Sequence, residues 1–284
     1  MASVPFDQMQ GVIWLNGSLV DWQDAKIHIL SHGLHYGGSV FEGERAYGGK
    51  IFKSRQHSER FLKSAEYLDF QIPYTVDELI EAKQLVVDKN GFKNCYVRPV
   101  AWRGSEMMAV AAQMAKIHTA IAVWDWPSMF DINTKMKGIK LDIAEYRRPD
   151  PATAPSHSKA AGLYMICTIS KHKAERKGYA DAMMLDWQGR VAECTGANIF
   201  FTRDGVLHTP IADCFLNGIT RQTVIELANR RGLEVVERRI MPDELASFNE
   251  CFICGTGAEV TPVSEIGPYN FAPGNISRTL IEDY

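Results

Sequence analysis

The chain has 284 residues, of which 46% are hydrophobic and 23% are charged, and its formal net charge is −3. This length allows one large domain or two medium ones, and the charge balance excludes the basic surface expected of a protein that binds nucleic acid or an anionic membrane. No apolar run is long enough to span a bilayer, and residues 1–10 lack the pattern of a secretory signal. We therefore expect a cytoplasmic protein.

The first half of the sequence predicts a smaller N-terminal α/β domain over residues 1–125. A hairpin is predicted over 12–20, turning at Asn16-Gly17. Two helices follow, over 54–69 and from a capping box of Thr75 and Glu78 to Asn90. Strands are predicted over 95–101 and 117–124, and the stretch 126–138 is predicted to connect two domains.

The second half predicts a larger C-terminal domain over 139–284. A strand over 139–144 is followed by a helix over 161–177 that ends at Gly178. Strands over 183–186, 198–202 and 206–208 precede a helix over 220–231 and two further strands, over 234–238 and 250–254. This mixture predicts an α/β (mixed α+β) fold of two domains with much antiparallel pairing.

Cys251 and Cys254 form a Cys-x-x-Cys pattern that could indicate redox or metal chemistry. The pair lies in a predicted strand, where residues three apart point to opposite faces. No second pair completes a zinc site. We therefore expect buried structural thiols and no bound metal.

Lys159 is the first candidate for chemistry, because it is a lone cation among small and apolar neighbours in Pro155 to Tyr164. Partial desolvation would favour the neutral amine, which is a nucleophile suited to a Schiff base with an aldehyde. The alternative is a structural lysine that extends its ammonium group to water.

Two glycine-containing turns in the second half could bind a phosphate. Asn217 to Thr220 leads into a predicted helix, whose N-terminus offers unpaired amides and the positive end of its dipole. Gly255 to Ala258 follows a predicted strand and supplies amides and a hydroxyl. The alternatives are a simple helix cap and a strand-exit turn.

An amine, two phosphate-binding turns and an acid are the groups that pyridoxal 5′-phosphate requires. Glu193, in the small-residue stretch Val191 to Gly196, could supply the acid for the ring nitrogen. The alternative for this residue is an exposed glutamate at the end of a strand.

Separated motifs along the chain together resemble one family. They are Leu34-His35-Tyr36-Gly37, Ser39 to Arg45, Tyr96-Val97-Arg98-Pro99, Ser158 to Gly162, Glu193 to Asn198, Gly218 to Arg221, and Gly255 to Glu259. In this order they resemble the branched-chain amino acid aminotransferases, which are pyridoxal-phosphate enzymes of fold type IV (class IV, D-amino acid aminotransferase-like).

The resemblance implies a role in cofactor binding for each matching residue. Lys159 would hold the cofactor covalently and move a proton between the substrate Cα and cofactor C4′. Tyr164 would bind the phenolic oxygen, Glu193 the pyridine nitrogen, and Arg60 the phosphate, while Leu216 would pack on the ring. The remaining residues implied in phosphate binding are Gly218, Ile219, Thr220, Gly255 and Thr256.

The resemblance also implies a substrate site. The amides of Thr256 and Gly257 would bind the α-carboxylate with help from Tyr96, and Arg98 would bind the distal carboxylate of glutamate or 2-oxoglutarate. The predicted apolar pocket consists of Phe41, Trp126 and Tyr164, with Gly43 leaving room. Tyr36 and the loop near Val110 would reach the neighbouring subunit's site, so a homodimer is the smallest expected assembly.

The expected function is transamination of L-leucine, L-isoleucine or L-valine with 2-oxoglutarate by a ping-pong mechanism. The expected small-molecule partners are therefore amino acids and 2-oxo acids. Asn217, Ala109, Gly257 and Met129 depart from the family pattern and bear on loop behaviour and substrate preference. Alternatives with the same fold are a D-amino acid or (R)-amine aminotransferase and aminodeoxychorismate lyase. A further alternative is a non-catalytic cofactor-binding module.

Overall fold

The computed structural model describes residues 4–126 and 132–284. The chain divides into two compact units, Met1–Pro127 with Ser158–Gly162, and Ser128–His157 with Leu163–Tyr284. The predicted connection 126–138 falls partly outside the described residues, as does Met129. Across the described ranges, no helix has both the length and the apolar character needed to cross a membrane.

The first unit is built on a seven-stranded antiparallel sheet, ordered β2-β1-β7-β6-β4-β5 with β3 also paired to β6. Buried residues of the sheet and of helix α3, including Val86, Val97 and Ile121, form one apolar cluster. The elements are β1 (Val12–Leu15), β2 (Ser18–Asp21), α1 (His32–Tyr36), β3 (Ser39–Phe41), β4 (Glu44–Tyr47), β5 (Lys50–Ile51), α2 (Ser54–Glu66), α3 (Val76–Asn90), β6 (Cys95–Arg103) and β7 (Ile117–Asp125).

The second unit is built on a nine-stranded mixed sheet, ordered β10-β9-β8-β15-β14-β11-β12-β13 with β16 on β15. Neighbours are antiparallel except β8 with β9, β8 with β15, and β12 with β13. The elements are α4 (Ile132–Lys135), β8 (Ile139–Ile143), α5 (Met165–Arg176), β9 (Asp181–Leu185), β10 (Val191–Cys194), β11 (Asn198–Arg203), β12 (Val206–Pro210), α6 (Ile219–Arg230), β13 (Val235–Arg238), β14 (Glu250–Gly255), β15 (Glu259–Ile266), β16 (Tyr269–Asn270) and α7 (Asn275–Asp283).

Local sequence signals account for several of these boundaries. The β1–β2 hairpin turns at Asn16 and Gly17, whose φ angles of 50° and 97° lie in the left-handed region that these residue types tolerate. The capping box at α3 is present, with the Glu78 amide donating to Thr75 Oγ1 and the Thr75 amide donating to Glu78 Oε2. The predicted mixed fold is confirmed.

The lysine segment differs from the prediction, which placed it wholly in the C-terminal domain. Ser158–Gly162 clusters with the first unit, because Ala160 forms a β-bridge with Val40 and Ser158 Oγ donates to the Ser64 carbonyl at 2.8 Å. The helix predicted over 161–177 begins as a 3-10 turn, Ala161–Tyr164, before α5. The remaining domain boundaries stay a prediction.

Cys251 and Cys254 lie on β14 and are both fully buried, but they pack into different apolar clusters, one with Phe201 and the other with Phe200. Burial raises the pKa of both thiols. The two side chains therefore point to opposite faces of the strand, as predicted. Among the described residues, no group of His, Cys, Asp or Glu could hold a metal ion.

Candidate active site

Lys159 is held by its backbone in the first unit. Its amide donates to Ser64 Oγ on α2 at 3.0 Å, and its carbonyl accepts from the amide of Phe41 on β3 at 3.1 Å. The side chain is half-buried, and Nζ lies 5.0 Å from the centroid of the Phe41 ring. The lysine is therefore partly removed from water, with an aromatic face as its apolar neighbour.

Two basic side chains of the first unit, Lys159 and Arg98, lie near the Phe41 ring. The Arg98 guanidinium carbon is 4.8 Å from the Phe41 centroid and also contacts the rings of Tyr96, at 5.2 Å, and Trp124, at 5.8 Å. Arg98 Nε is buried and donates to no described residue, so this donor is available to an anionic ligand. Trp126 packs on Tyr96 with ring centroids 5.3 Å apart.

Gly43 makes room for Tyr96. A Cβ atom at Gly43 would lie 2.0 Å from Tyr96 Oη and 2.9 Å from Cζ, so any side chain would displace the tyrosine. The sequence interpretation assigned this space to a substrate. The structure assigns it to the Tyr96 hydroxyl, which also accepts from Arg98 Nη2 at 3.4 Å.

Arg60 forms a two-point ion pair with a buried carboxylate. Its Nε and Nη2 donate to Glu42 Oε1 and Oε2 at 2.7 and 2.8 Å, and His57 Nδ1 lies 2.7 Å from Oε2. Burial opposes ionisation of Glu42, but Arg60 and His57 outweigh it and hold its pKa well below the ordinary range. The guanidinium is thereby fixed in orientation.

Tyr36 and Val110 lie at the surface of the first unit. Val110 is 84% exposed and Tyr36 is 49% exposed. One histidine joins their segments, because the His32 ring stacks on Tyr36 at 4.7 Å and its Nε2 lies 3.0 Å from the Ala109 carbonyl.

Glu193 is oriented in the second unit by two buried side chains. Arg148 Nε lies 3.3 Å from Oε1, and Asn198 Nδ2 donates to Oε2 at 3.2 Å. Burial opposes the charge on Arg148, yet the attraction of Glu193 and neighbouring groups raises its pKa, so the cation persists beside the carboxylate. Tyr164 is half-buried at the start of α5 and is one of the groups that act on Arg148.

The turn before α6 also contacts Asn198. Leu216 O accepts from Asn198 Nδ2 at 3.1 Å, and Gly218 is the residue that precedes the helix. The helix begins at Ile219, one residue before the prediction, and Ile219 and Thr220 are both buried. The amides of this first turn have no intrahelical partner, which makes the turn a candidate anion site.

The second predicted turn follows β14. Gly255 lies close to the loop between β10 and β11, since a Cβ there would lie 3.3 Å from the Gly196 carbonyl. Thr256 is half-buried and Gly257 is exposed. The turn ends at Glu259, which has a left-handed φ of 52° and pairs with Lys135 Nζ at 2.5 Å. An ion pair therefore stabilises this strained end of the turn.

Sequence reasoning missed several residues that position the candidates: Glu42, His57, Ser64, Arg148 and Asn198. His57 could have been found, because it lies three residues before Arg60 on α2 and so shares its face. Arg148 carries no local signal, since its partner Glu193 is distant in the sequence. Asn198 belongs to a quoted motif but received no role.

Comparison with known proteins identifies the class. The family model for amino-transferase class IV matches residues 39–266, a span that contains Lys159, Glu193 and both candidate phosphate turns. The chain therefore belongs to the class IV aminotransferase family.

Individual relatives are similar over nearly the whole chain. A probable branched-chain-amino-acid aminotransferase of Rickettsia conorii is 44% identical over 289 residues, covering 100% of this chain and 98% of the relative. The structure of the branched-chain aminotransferase of Thermoproteus uzoniensis with norvaline is 36% identical, with a TM-score of 0.92 and coverage of 97% of this chain and 94% of that one. The branched-chain amino acid aminotransferase of Thermobaculum terrenum, solved in its PLP form, is 30% identical, with a TM-score of 0.87 and coverage of 97% and 92%.

Proposed function

We propose that this protein is a pyridoxal-5′-phosphate-dependent aminotransferase that transfers the amino group of L-leucine, L-isoleucine or L-valine to 2-oxoglutarate. One observation carries the substrate assignment: the centroid of the Phe41 ring lies 5.0 Å from Lys159 Nζ and 4.8 Å from the guanidinium carbon of Arg98. An apolar wall that also faces a cation suits a pocket that accepts both an aliphatic and an acidic side chain.

The described residues have the chemistry that the cofactor requires. The first turn of α6 offers unpaired amides to a phosphate, and Arg60 offers a guanidinium group that Glu42 holds in place. Glu193 offers a carboxylate beside the Arg148 cation, and this carboxylate would accept a hydrogen bond from the protonated ring nitrogen. When bound, pyridoxal 5′-phosphate supplies an aldehyde for an amine and a ring that withdraws electrons from the substrate Cα.

Each protein group then has a defined task. Lys159 Nζ would supply the amine and, once released, would carry the proton from the substrate Cα to the cofactor C4′. The Arg98 guanidinium binds the distal carboxylate of glutamate or 2-oxoglutarate. Phe41 and Trp126 pack against an aliphatic side chain and exclude water. The amides of Thr256 and Gly257 orient the α-carboxylate, and Tyr164 donates to the phenolic oxygen.

A screen of amino donors tests this function. The protein is supplied with 2-oxoglutarate and one of L-leucine, L-isoleucine, L-valine, D-alanine or (R)-1-phenylethylamine, and glutamate formation is measured. We expect turnover with the three L-amino acids. Turnover with D-alanine or the amine alone would replace the proposal with one of the alternatives that share this fold.

The surface of the first unit supports a homodimer as the smallest assembly. A groove of about 570 Å³ is lined largely by apolar residues, including Ile13, Ile27, Leu34 and Trp102. Val110 lies exposed on the same unit, and we propose that it and Tyr36 serve the neighbouring subunit's site. Neither the net charge of −3 nor any described helix supports a nucleic-acid or membrane partner.

Subunit mixing tests this assignment. Lys159→Ala and Tyr36→Ala each remove a different part of the site, so each homodimer should be weakly active. A mixed dimer would contain one site with an intact lysine and an intact partner tyrosine. We expect activity to return on mixing, and a mixture that stays inactive after subunit exchange would place Tyr36 in its own subunit's site.

We also place the enzyme in the cytoplasm and in amino-acid biosynthesis. Six free, buried cysteines suit a reducing compartment. A reversible transfer that uses glutamate could form branched-chain amino acids from their 2-oxo acids. Fractionation of the source cells tests the location. Growth of a strain that lacks the protein, on medium without these amino acids, tests the biosynthetic role.

A further inference from the structure

Asn198 is a buried amide that links two parts of the candidate site in the second unit. It begins β11 and is 6% exposed, and its backbone lies opposite Cys254 of β14 in the interior of the sheet. Pairing with β14 fixes the backbone at this position, and burial restricts the side chain.

The Asn198 side chain contacts three groups. Its Nδ2 donates to Glu193 Oε2 at 3.2 Å and to the Leu216 carbonyl at 3.1 Å, which uses both of its hydrogens. Its Oδ1 lies against Gly218, since a Cβ atom added to Gly218 would be only 2.2 Å from it. One amide therefore contacts the carboxylate and both ends of the turn that precedes α6.

We infer that Asn198 is a positioning residue that fixes the Glu193 carboxylate relative to the Leu216–Gly218 turn, and so sets the spacing between the ring-nitrogen and phosphate contacts of the cofactor. The inference rests on the proposed roles of Glu193 and of the α6 turn. Arg148 complements it from the other side, because it contacts Oε1 while Asn198 contacts Oε2. A carboxylate oxygen can accept more than one hydrogen bond, so these contacts are compatible with a ligand.

The first experiment measures binding, without turnover. Dissociation constants are measured on the full chain freed of cofactor, for pyridoxal 5′-phosphate, for its analogue with carbon in place of the ring nitrogen, and for pyridoxal, which lacks the phosphate. The ratio of the analogue constant to the cofactor constant reports the Glu193 contact. The corresponding ratio for pyridoxal reports the phosphate contact.

We expect Asn198→Ala to lower both ratios by about tenfold each, the equivalent of one charged or well-placed hydrogen bond. Asn198→Asp keeps the volume but turns a donor into an acceptor facing Glu193, so it should lower the first ratio at least as much. This second variant decides the question if the alanine variant folds poorly. Equal weakening of all three ligands would show a purely structural role and overturn the inference.

Asn90 provides a matched control in the first unit. Its Nδ2 donates to the carbonyls of Val12 and Val86, and a Cβ on Gly11 would lie 2.1 Å from its Oδ1, so its contacts closely parallel those of Asn198. Asn90→Ala should lower stability and leave both ratios unchanged. If Asn90→Ala changed the two ratios as much as Asn198→Ala does, the effect of Asn198→Ala would not be specific to the cofactor contacts, and the inference would fail.

A double variant tests the contact with Gly218. Gly218→Ala alone places its methyl group against Asn198 Oδ1, and we expect it to weaken cofactor binding by about tenfold. In the Asn198→Ala background the methyl group has space, so the additional loss should be less than about twofold. The same loss in both backgrounds would refute the coupling.

The wild-type protein separates this inference from the proposed function. If wild-type protein binds the cofactor and borohydride reduction labels Lys159, the ratios decide the role of Asn198 alone. If reduction labels no lysine, the proposed function fails before the variants are considered.

Discussion

Replacing Glu42 with glutamine tests whether the buried ion-pair network of the first unit organises Arg60. Glu42 is fully buried and accepts from Arg60 Nε, Arg60 Nη2 and His57 Nδ1 at 2.7 to 2.8 Å. Glutamine keeps one acceptor oxygen but places an NH₂ group against a donor. The half-buried guanidinium then loses its charged partner, although the side-chain volume hardly changes.

The expected cost follows from the burial. Removing one partner of a buried ion pair costs about 3–5 kcal/mol, and we expect about 3 kcal/mol for Glu42→Gln because one hydrogen bond remains. The effect depends on pH. The folded-state pKa of Glu42 lies below its ordinary value of 4.5, so the stabilisation is complete above that value and declines as the pH falls below it.

Urea unfolding at pH 7 and pH 4 measures the effect. The difference between wild type and variant should be about 3 kcal/mol at pH 7 and smaller at pH 4. Glu66→Gln is the control, because Glu66 forms an exposed pair with Lys63 on the same helix and should change stability little. A Glu42→Gln variant as stable as this control would refute the importance of the network.

Three further substitutions test the site. Lys159→Ala should lower turnover by at least about 10³-fold with an unchanged circular dichroism spectrum, because it removes a nucleophile rather than core volume; substantial residual turnover would contradict its role. In the separate half-reactions, Arg98→Ala should weaken the binding of 2-oxoglutarate by about 10- to 100-fold and that of leucine by less than about threefold. Equal losses would show that Arg98 does not bind the distal carboxylate. Gly43→Ala should raise KM for both substrates because its Cβ would lie 2.0 Å from Tyr96 Oη; an unchanged KM would show that Tyr96 is dispensable.

The sequence predicted the parts of the fold that carry a local signal. The β1–β2 turn and the start of α3 follow from residues a few positions apart, and the structure confirms both. The short strands β4 and β5 were missed, since β4 pairs with β6 and β5 with β4, and neither has an alternating pattern of its own. Helix α7 was also missed, although the spacing of Ile276, Leu280 and Ile281, which pack into one cluster, was available.

In the candidate site, too, the sequence predicted only the residues that carry a local signal. Motifs located Lys159, Glu193 and Arg98, because each lies in a short segment with a recognisable composition. The groups that orient them come from elsewhere in the chain: Ser64 binds the Lys159 amide and Arg148 lies against Glu193. Gly43 illustrates a third case, in which the motif identified the residue but only the position of Tyr96 explains why it has no side chain.

Helix α2 sets a length scale in the first unit. Arg60 and Ser64 are one turn apart on it, about 6 Å along the axis at 1.5 Å per residue, and Ser64 holds the lysine backbone while Glu42 holds the arginine. The helix thus fixes the backbone of Arg60 relative to the backbone of Lys159. Because the rise between the two positions is constant, the lysine segment cannot shift along α2 without breaking its contact with Ser64.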